Sequence, residues 1–284
     1  MTTQIERITI DDLVQLKQRG QPIVMVTVFD YPSGRVAERS GVDIALVGDS
    51  AGMTVLGHPS TRDVSMDEML MLTRAAHRGV ERPMLIGDMP FGTYEASDEI
   101  AVSSAKQFID AGCDGVKIEG AGPMAARARA IVKAGIAVMG HVGLTPQGVK
   151  NSDQYRARGR TADEAISIID DAVELERAGV FSIVLEAVAS PVGDALMRRV
   201  TVPVIGIGAG SAPDGQVLVY HDLLGMTEGR TAKFVKSYAT VGDMSVQAVT
   251  AFAADVRGRR YPGPEHLYGM ASDELSRFQE RTKA

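Results

Sequence analysis

Short runs of hydrophobic residues bounded by Gly, Pro or Asp recur along this 284-residue chain. Eight of them, at 23–28, 43–47, 83–87, 115–118, 137–140, 181–185, 202–207 and 216–220, are too short for helices and read as buried strands. Between most of them the apolar positions shift to the three-and-four spacing of an amphipathic helix, as at 66–78, 98–111, 123–133 and 161–178. Ser97 ahead of Asp98 and Glu99 opens one helix, and Gly79, Gly112, Gly135 and Gly179 are placed to close four as left-handed C-terminal glycines. Strands alternating with helices, with no repeat, low-complexity tract or linker, predict an α/β protein: a single (β/α)8 barrel domain over residues 1–284. The connection 208–215 is too short for a helix, so the seventh and eighth strands should be joined tightly. Helical patterns at 244–256 and 273–281 lie past the eighth strand, where they either complete the barrel or reach a neighbouring subunit.

Five of the hydrophobic runs end in a polar or charged residue: Leu46-Val47-Gly48-Asp49-Ser50, Leu85-Ile86-Gly87-Asp88, Val116-Lys117-Ile118-Glu119, Val138-Met139-Gly140-His141 and Ile183-Val184-Leu185-Glu186. In parallel α/β sheets and barrels the C-terminal strand edge is where ligands bind and chemistry occurs. Residues two apart on a strand share a face, so Lys117 and Glu119 should point into the mouth together while Val116 and Ile118 pack on helices. A purely structural Lys-Glu ion pair is the alternative; Asp49 and Asp88, reaching the same rim from the two preceding strands, argue against it. Three crowded carboxylates require protons or a cation. An all-oxygen set without Cys favours a hard ion, Mg2+, whereas His141 permits either a His-containing transition-metal site or a hydrogen bond to a substrate oxygen.

Glu186 ends the sixth strand and should face those acids across the mouth, where a general base belongs. A 2-oxo acid chelated to the metal would surrender a proton from C3 to such a base, with Lys117 supporting the developing negative charge. A buried acid paired with an Arg is the alternative for Glu186. The glycines of Gly206-Ile207-Gly208-Ala209-Gly210 lack the spacing of a dinucleotide loop, and close backbone approach accounts for them equally well. His221-Asp222 after the eighth strand reads as a loop anchor rather than direct catalytic machinery.

Composition removes several classes of function. Hydrophobic residues make up 45% and charged residues 23% of the chain, enough for a large core that Trp 0 leaves to aliphatics and methionine. A net charge of -6 and a pI near 5.5 offer no electrostatic footprint for nucleic acid. One cysteine, Cys113, excludes an intrachain disulfide; its helix-to-strand position reads as a buried packing thiol. The N-terminal residues lack the basic and apolar regions of a signal peptide, and no apolar run approaches the roughly 18 residues of a membrane span, so a cytoplasmic protein is expected.

Longer blocks resemble a known family. Gly48-Asp49-Ser50-Ala51-Gly52-Met53-Thr54-Val55, Asp88-Met89-Pro90-Phe91-Gly92, Val116-Lys117-Ile118-Glu119-Gly120, Gly140-His141-Val142-Gly143-Leu144-Thr145-Pro146-Gln147, Pro203-Val204-Ile205-Gly206-Ile207-Gly208-Ala209-Gly210, and Tyr261-Pro262 with Glu265-His266 are similar to ketopantoate hydroxymethyltransferases. The resemblance runs from about Ile8 to Tyr268. It implies a (β/α)8 barrel of the phosphoenolpyruvate mutase and isocitrate lyase superfamily, using Mg2+. The implied reaction carries a one-carbon unit from 5,10-methylenetetrahydrofolate to 3-methyl-2-oxobutanoate, giving 2-dehydropantoate in pantothenate biosynthesis. By motif position, Asp49 and Asp88 would hold the metal, with Glu119 assisting directly or through water. Asp49, Ser50, Asp88, Lys117 and His141 would surround the oxo acid, and Glu186 would be the proton acceptor. Homo-oligomers, typically decamers, are implied too.

Two stretches depart from the family pattern: Asp153-Gln154-Tyr155-Arg156-Ala157-Arg158-Gly159-Arg160 replaces a glycine-pair segment, and Glu186-Ala187-Val188-Ala189-Ser190-Pro191 delays a proline. Both fall in loops over the mouth, so they bear on the cosubstrate more than on the metal and oxo acid. A folate-independent, metal-dependent lyase or aldolase acting on a 2-oxo acid is the alternative enzyme, and a silent barrel kept for assembly is the alternative outside enzymes. Unpaired carboxylates at a mouth have no use in a scaffold.

Overall fold

The computed structural model describes residues 6–149, 155–229 and 231–283. Residues 1–5, read above for targeting features, and Asp153 and Gln154 of the first departing stretch lie outside them. All eight predicted strands form: β1 Ile23–Thr27, β2 Ile44–Val47, β3 Met84–Asp88, β4 Gly115–Lys117, β5 Ala137–Gly143, β6 Ser182–Glu186, β7 Val204–Ile207 and β8 Gly215–Leu218. They pair in parallel in sequence order, and β8 closes onto β1. The helices among the described residues are α1 Ile10–Gln18, α2 Tyr31–Ser40, α3 Ala51–Thr54, α4 Met66–His77, α5 Asp98–Asp110, α6 Pro123–Lys133, α7 Ala162–Ala178, α8 Ser190–Leu196, α9 Tyr220–Leu223, α10 Val241–Arg257 and α11 Ser272–Thr282. None is long and apolar enough to cross a membrane.

Alternation along the strands builds two apolar layers. Met25, Ile44, Leu46, Met84, Ile86, Met139, Val184, Ile205 and Val217 fill the barrel. Val26, Ala45, Val47, Leu85, Val116, Ile118, Val138, Ile183, Leu185 and Val204 belong to the second core with the helices. Thr9 and Asp12 form a capping box that starts α1, whose Leu13 joins the inner layer with Ile8, Ile10 and Leu16. The barrel interior is therefore solid packing, which leaves the opposite end, where the strands finish, free for chemistry.

Glycines set two of the close approaches that matter. A Cβ on Gly87 of β3 would lie 2.3 Å from the Phe108 ring of α5 and 3.0 Å from Cys113 Sγ, so the bare backbone lets ring and thiol pack on the sheet. Cys113 is buried there, as expected of a packing thiol, and burial pushes its thiol well up. Gly112, Gly135 and Gly179 take the expected left-handed conformation, but Gly79 does not. Gly79 serves packing instead: its Cβ would come 2.6 Å from the Tyr31 carbonyl at the start of α2.

Between β7 and β8 there is no helix, as the short connection requires. Val24 on β1 is 48% exposed, and α10 and α11 bury none of their residues. The C-terminal helices thus form where the pattern predicts but do not pack into this chain's own core.

Candidate active site

The five polar strand ends converge. Asp88 is the last residue of β3 and stands in register beside Lys117, the last residue of β4. Lys117 Nζ donates to Asp88 Oδ1 at 2.6 Å and lies 3.6 Å from Glu119 Oε1. Asp49, two residues past β2, donates its backbone N–H to Asp88 Oδ2 at 3.1 Å. His141 lies within β5, which runs three residues beyond the predicted end; its Nδ1 is 3.4 Å from Glu119 Oε1 and its Nε2 is 3.4 Å from Glu186 Oε2. One unbroken series of contacts therefore spans the mouth from Asp49 through Asp88, Lys117, Glu119 and His141 to Glu186. The pairing of Lys117 with Glu119 is real, but it is one link in this series. Ser50 is half-buried at the start of α3, and its hydroxyl makes no cap bond to that helix.

The charges do not balance evenly across the cluster. Burial, then the neighbouring Asp88 and Glu119 carboxylates, push the Asp49 carboxyl well above the usual range, against the opposing pull of Lys117 and Gln147. Burial also works against charge on Glu119, yet Lys117 and His141 outweigh it and hold that carboxyl low. For His141 burial favours the neutral ring, but Glu119 and Glu186 prevail and push it up to about 9. Lys117 is raised by its three acidic neighbours despite complete burial and stays charged. Negative charge is thus compensated near Glu119 and in excess near Asp49. Among the described residues, no three His, Cys, Asp or Glu side chains gather closely enough to hold a metal unaided.

Two further buried residues complete the cluster. Gln147, in a short turn after β5, donates from Nε2 to Asp49 Oδ2 at 2.9 Å and to the Met89 carbonyl at 3.0 Å. Its backbone N–H donates to Glu119 Oε2 at 2.9 Å. Tyr94 donates its hydroxyl to Gln147 Oε1 at 2.6 Å and accepts from the Glu119 backbone N–H at 3.2 Å. Nothing in their spacing marks either residue as functional, because their partners come from other strands; the sequence signal for Gln147 is its place at the end of the Gly140–Gln147 block, in the loop after the His-bearing strand. A pocket of about 440 Å³ opens beside Glu119 and Gln147, walled also by Arg62, Phe91, Tyr94, Met124 and Thr145.

Glu186 is the most accessible acid of the group, its side chain 17% exposed against 3% for Glu119 and 2% for Asp88. His141 Nε2 lies 3.4 Å from its carboxylate. Ala187 beside it adopts φ +47°, a left-handed conformation that costs a non-glycine residue about 1–2 kcal/mol. The surroundings hold it: Ala187 N–H donates to the Ile207 carbonyl at 2.7 Å, and its carbonyl accepts from Arg158 N–H at 2.8 Å. Arg158 and Val188 form a β-bridge, so the two stretches that depart from the family pattern are stitched to each other. Tyr155, exposed in the first of them, has its hydroxyl raised by partial desolvation and by the charges of Asp49, Glu119 and Glu186.

The glycine cluster after β7 is a close-approach site. Gly208 has φ +64°, and a Cβ there would sit 2.4 Å from the Phe234 ring. Asp222 anchors its loop, accepting from Thr227 Oγ1 at 2.6 Å through its carboxylate and from Ser237 Oγ through its carbonyl.

Comparison with known proteins shows the family of the chain. The family model described as ketopantoate hydroxymethyltransferase matches residues 7–264. The 3-methyl-2-oxobutanoate hydroxymethyltransferase of Geobacillus kaustophilus (strain HTA426) is 46% identical over 264 residues, covering 93% of this chain and 95% of the relative. That of Aeropyrum pernix is 49% identical over 253 residues, covering 89% and 92%. Among solved structures, phosphonopyruvate hydrolase in complex with oxalate and Mg++ superposes with a TM-score of 0.60 at 15% identity, covering 96% of each chain. Phosphoenolpyruvate phosphomutase from Streptomyces platensis subsp. rosaceus gives 0.58 at 17% identity, covering 95% of this chain and 98% of that one. At such identities the structural likeness speaks for the fold.

Proposed function

This chain belongs to the ketopantoate hydroxymethyltransferase family, and from that premise we propose that it transfers a hydroxymethyl group from 5,10-methylenetetrahydrofolate to 3-methyl-2-oxobutanoate, forming 2-dehydropantoate for pantothenate biosynthesis. The observation that supports the reading is the series of contacts from Asp49 to Glu186, in which a carboxylate-rich corner, a buried ammonium and a more accessible carboxylate share one mouth.

The residues fit a hard divalent cation. The carboxylates beside Asp49 offer only oxygen, and the Asp49 carboxyl is raised by burial and by the neighbouring Asp88 and Glu119 charges, a combination that a bound cation would relieve. Asp49 and Asp88 would hold Mg2+, with Glu119 assisting through water, since its oxygens already face Gln147, Lys117 and His141. When bound, the ion supplies Lewis-acid polarisation of the 2-oxo group.

Asp49, Ser50, Asp88, Lys117 and His141 surround the oxo acid. Glu186 accepts the proton from C3, and the electrons of that C–H bond pass into an enolate, whose charge the Lys117 ammonium stabilises. Water releases the one-carbon unit from the folate as formaldehyde, breaking both of its C–N bonds and protonating the departing tetrahydrofolate; C3 of the enolate attacks that carbon, and the alkoxide formed takes up the proton held by Glu186. His141 lies 3.4 Å from both Glu119 and Glu186 without a hydrogen bond to either, so its link between the base and the acidic corner is the charge of the protonated ring. The exposed apolar residues of α10, including Met244, Val249 and Phe252, support homo-oligomers, with a decamer as the form the resemblance implies.

The test is product formation from 3-methyl-2-oxobutanoate with Mg2+, in the presence and absence of 5,10-methylenetetrahydrofolate. The proposal expects 2-dehydropantoate only when the folate is present. Cleavage or aldol chemistry on the oxo acid without folate would instead establish the folate-independent lyase or aldolase.

A further inference from the structure

Every polar atom of Gln147 is engaged. Its backbone N–H holds Glu119, its backbone carbonyl accepts from the Arg62 guanidinium, and its amide oxygen accepts from Tyr94. Its amide nitrogen directs two hydrogens at Asp49 Oδ2 and the Met89 carbonyl. Arg62 is itself steadied over the Phe91 ring, 3.6 Å from the centroid.

This wiring admits one amide orientation. Turned over, the Gln147 amide would set its oxygen against two acceptors, Asp49 Oδ2 and Met89 O. Because the Tyr94 hydroxyl accepts from the Glu119 backbone N–H, its own hydrogen is left for Gln147 Oε1, which fixes the amide. The chain of donors thus runs from Glu119 to Tyr94 to Gln147 and ends on Asp49.

We propose that Gln147, oriented by Tyr94, is a positioning residue that sets the Asp49 carboxylate for the divalent cation and couples it to Glu119. The proposal rests on the reading of Asp49 as a cation-holding carboxylate. Partners that orient metal-binding groups typically contribute ten- to hundredfold in affinity. A role confined to gluing together the loops after β3, β4 and β5 would lower stability and leave the affinity of the folded protein unchanged.

The experiment is calorimetric titration of full-length protein with MgCl2, at a temperature where circular dichroism shows each variant folded. Gln147→Met keeps the volume and removes the donors; Tyr94→Phe keeps the ring and frees the amide. Each is expected to weaken Mg2+ binding roughly tenfold to a hundredfold, and Gln147→Met should add nothing further in an Asp49→Asn background. If Asp49→Asn weakens Mg2+ binding while folded Gln147→Met binds as wild type does, the positioning role is overturned and the metal reading stands. If Asp49→Asn itself binds Mg2+ normally, the metal reading fails first. Should Tyr94→Phe not fold, Gln147→Met alone decides.

Discussion

Lys117→Met is predicted to destabilise the metal-free protein by about 4 kcal/mol at pH 7, and by much less at pH 5. Lys117 is 2.6 Å from one buried carboxylate oxygen and 3.6 Å from another. At an effective dielectric of about 20 those contacts correspond to about 6 and about 5 kcal/mol of Coulomb attraction. The variant does not lose all of this, because a stranded carboxylate can take up a proton. The cost of doing so at pH 7 is about 1.36 kcal/mol for each pH unit above its ordinary value near 3.9, or about 4 kcal/mol. That lies within the roughly 3–5 kcal/mol expected when one partner of a buried pair is removed. The sign follows from linkage: the stranded acid has its folded-state pKa raised, so the penalty is absent below the unfolded value and grows as pH rises. At pH 5 it should shrink to about 1.5 kcal/mol. Urea denaturation followed by circular dichroism in EDTA measures both values. A loss under about 1 kcal/mol at pH 7, or a gap between wild type and variant that does not narrow on acidification, would refute the view of Lys117 as the cation that makes this acidic cluster tolerable.

Other expectations are independent of that one. Gly112→Ala should cost about 2–4 kcal/mol, because φ +106° is compounded by a Cβ 2.4 Å from the His77 ring, whereas Gly135→Ala, at φ +84° in open space, should cost about 1 kcal/mol; equal urea midpoints for the two would contradict the packing argument. Cys113 should react with a thiol reagent only as the chain unfolds, since the thiol is buried and raised; rapid labelling of native protein would oppose it. Asp88→Asn should weaken Mg2+ binding measured by titration, and an unchanged isotherm would remove Asp88 from the metal corner.

Much of the barrel was legible because strand and helix periods differ, and because each buried strand needs an unbroken apolar run. The polar ends of those runs were equally legible: Asp49, Asp88, Lys117, Glu119, His141 and Glu186 are all brought together. What sequence could not show is how they are joined. Gln147 and Tyr94 lie 53 residues apart and acquire meaning only when two loops meet over Asp49 and Glu119. Gly79 looked like its three left-handed counterparts, yet the nearness of α2 gave it a different use. The amphipathic pattern of α10 predicted a helix correctly but could not say what covers its apolar face, since burial depends on a surface outside the pattern.

The most direct test of the account is hydrogen exchange at C3 of 3-methyl-2-oxobutanoate, followed by NMR in deuterated buffer with Mg2+, for wild type and Glu186→Gln. Enzyme-dependent exchange is expected in wild type and a loss of roughly 10²- to 10⁴-fold in the variant, with oxo-acid binding retained. Exchange at the wild-type rate in Glu186→Gln would contradict it.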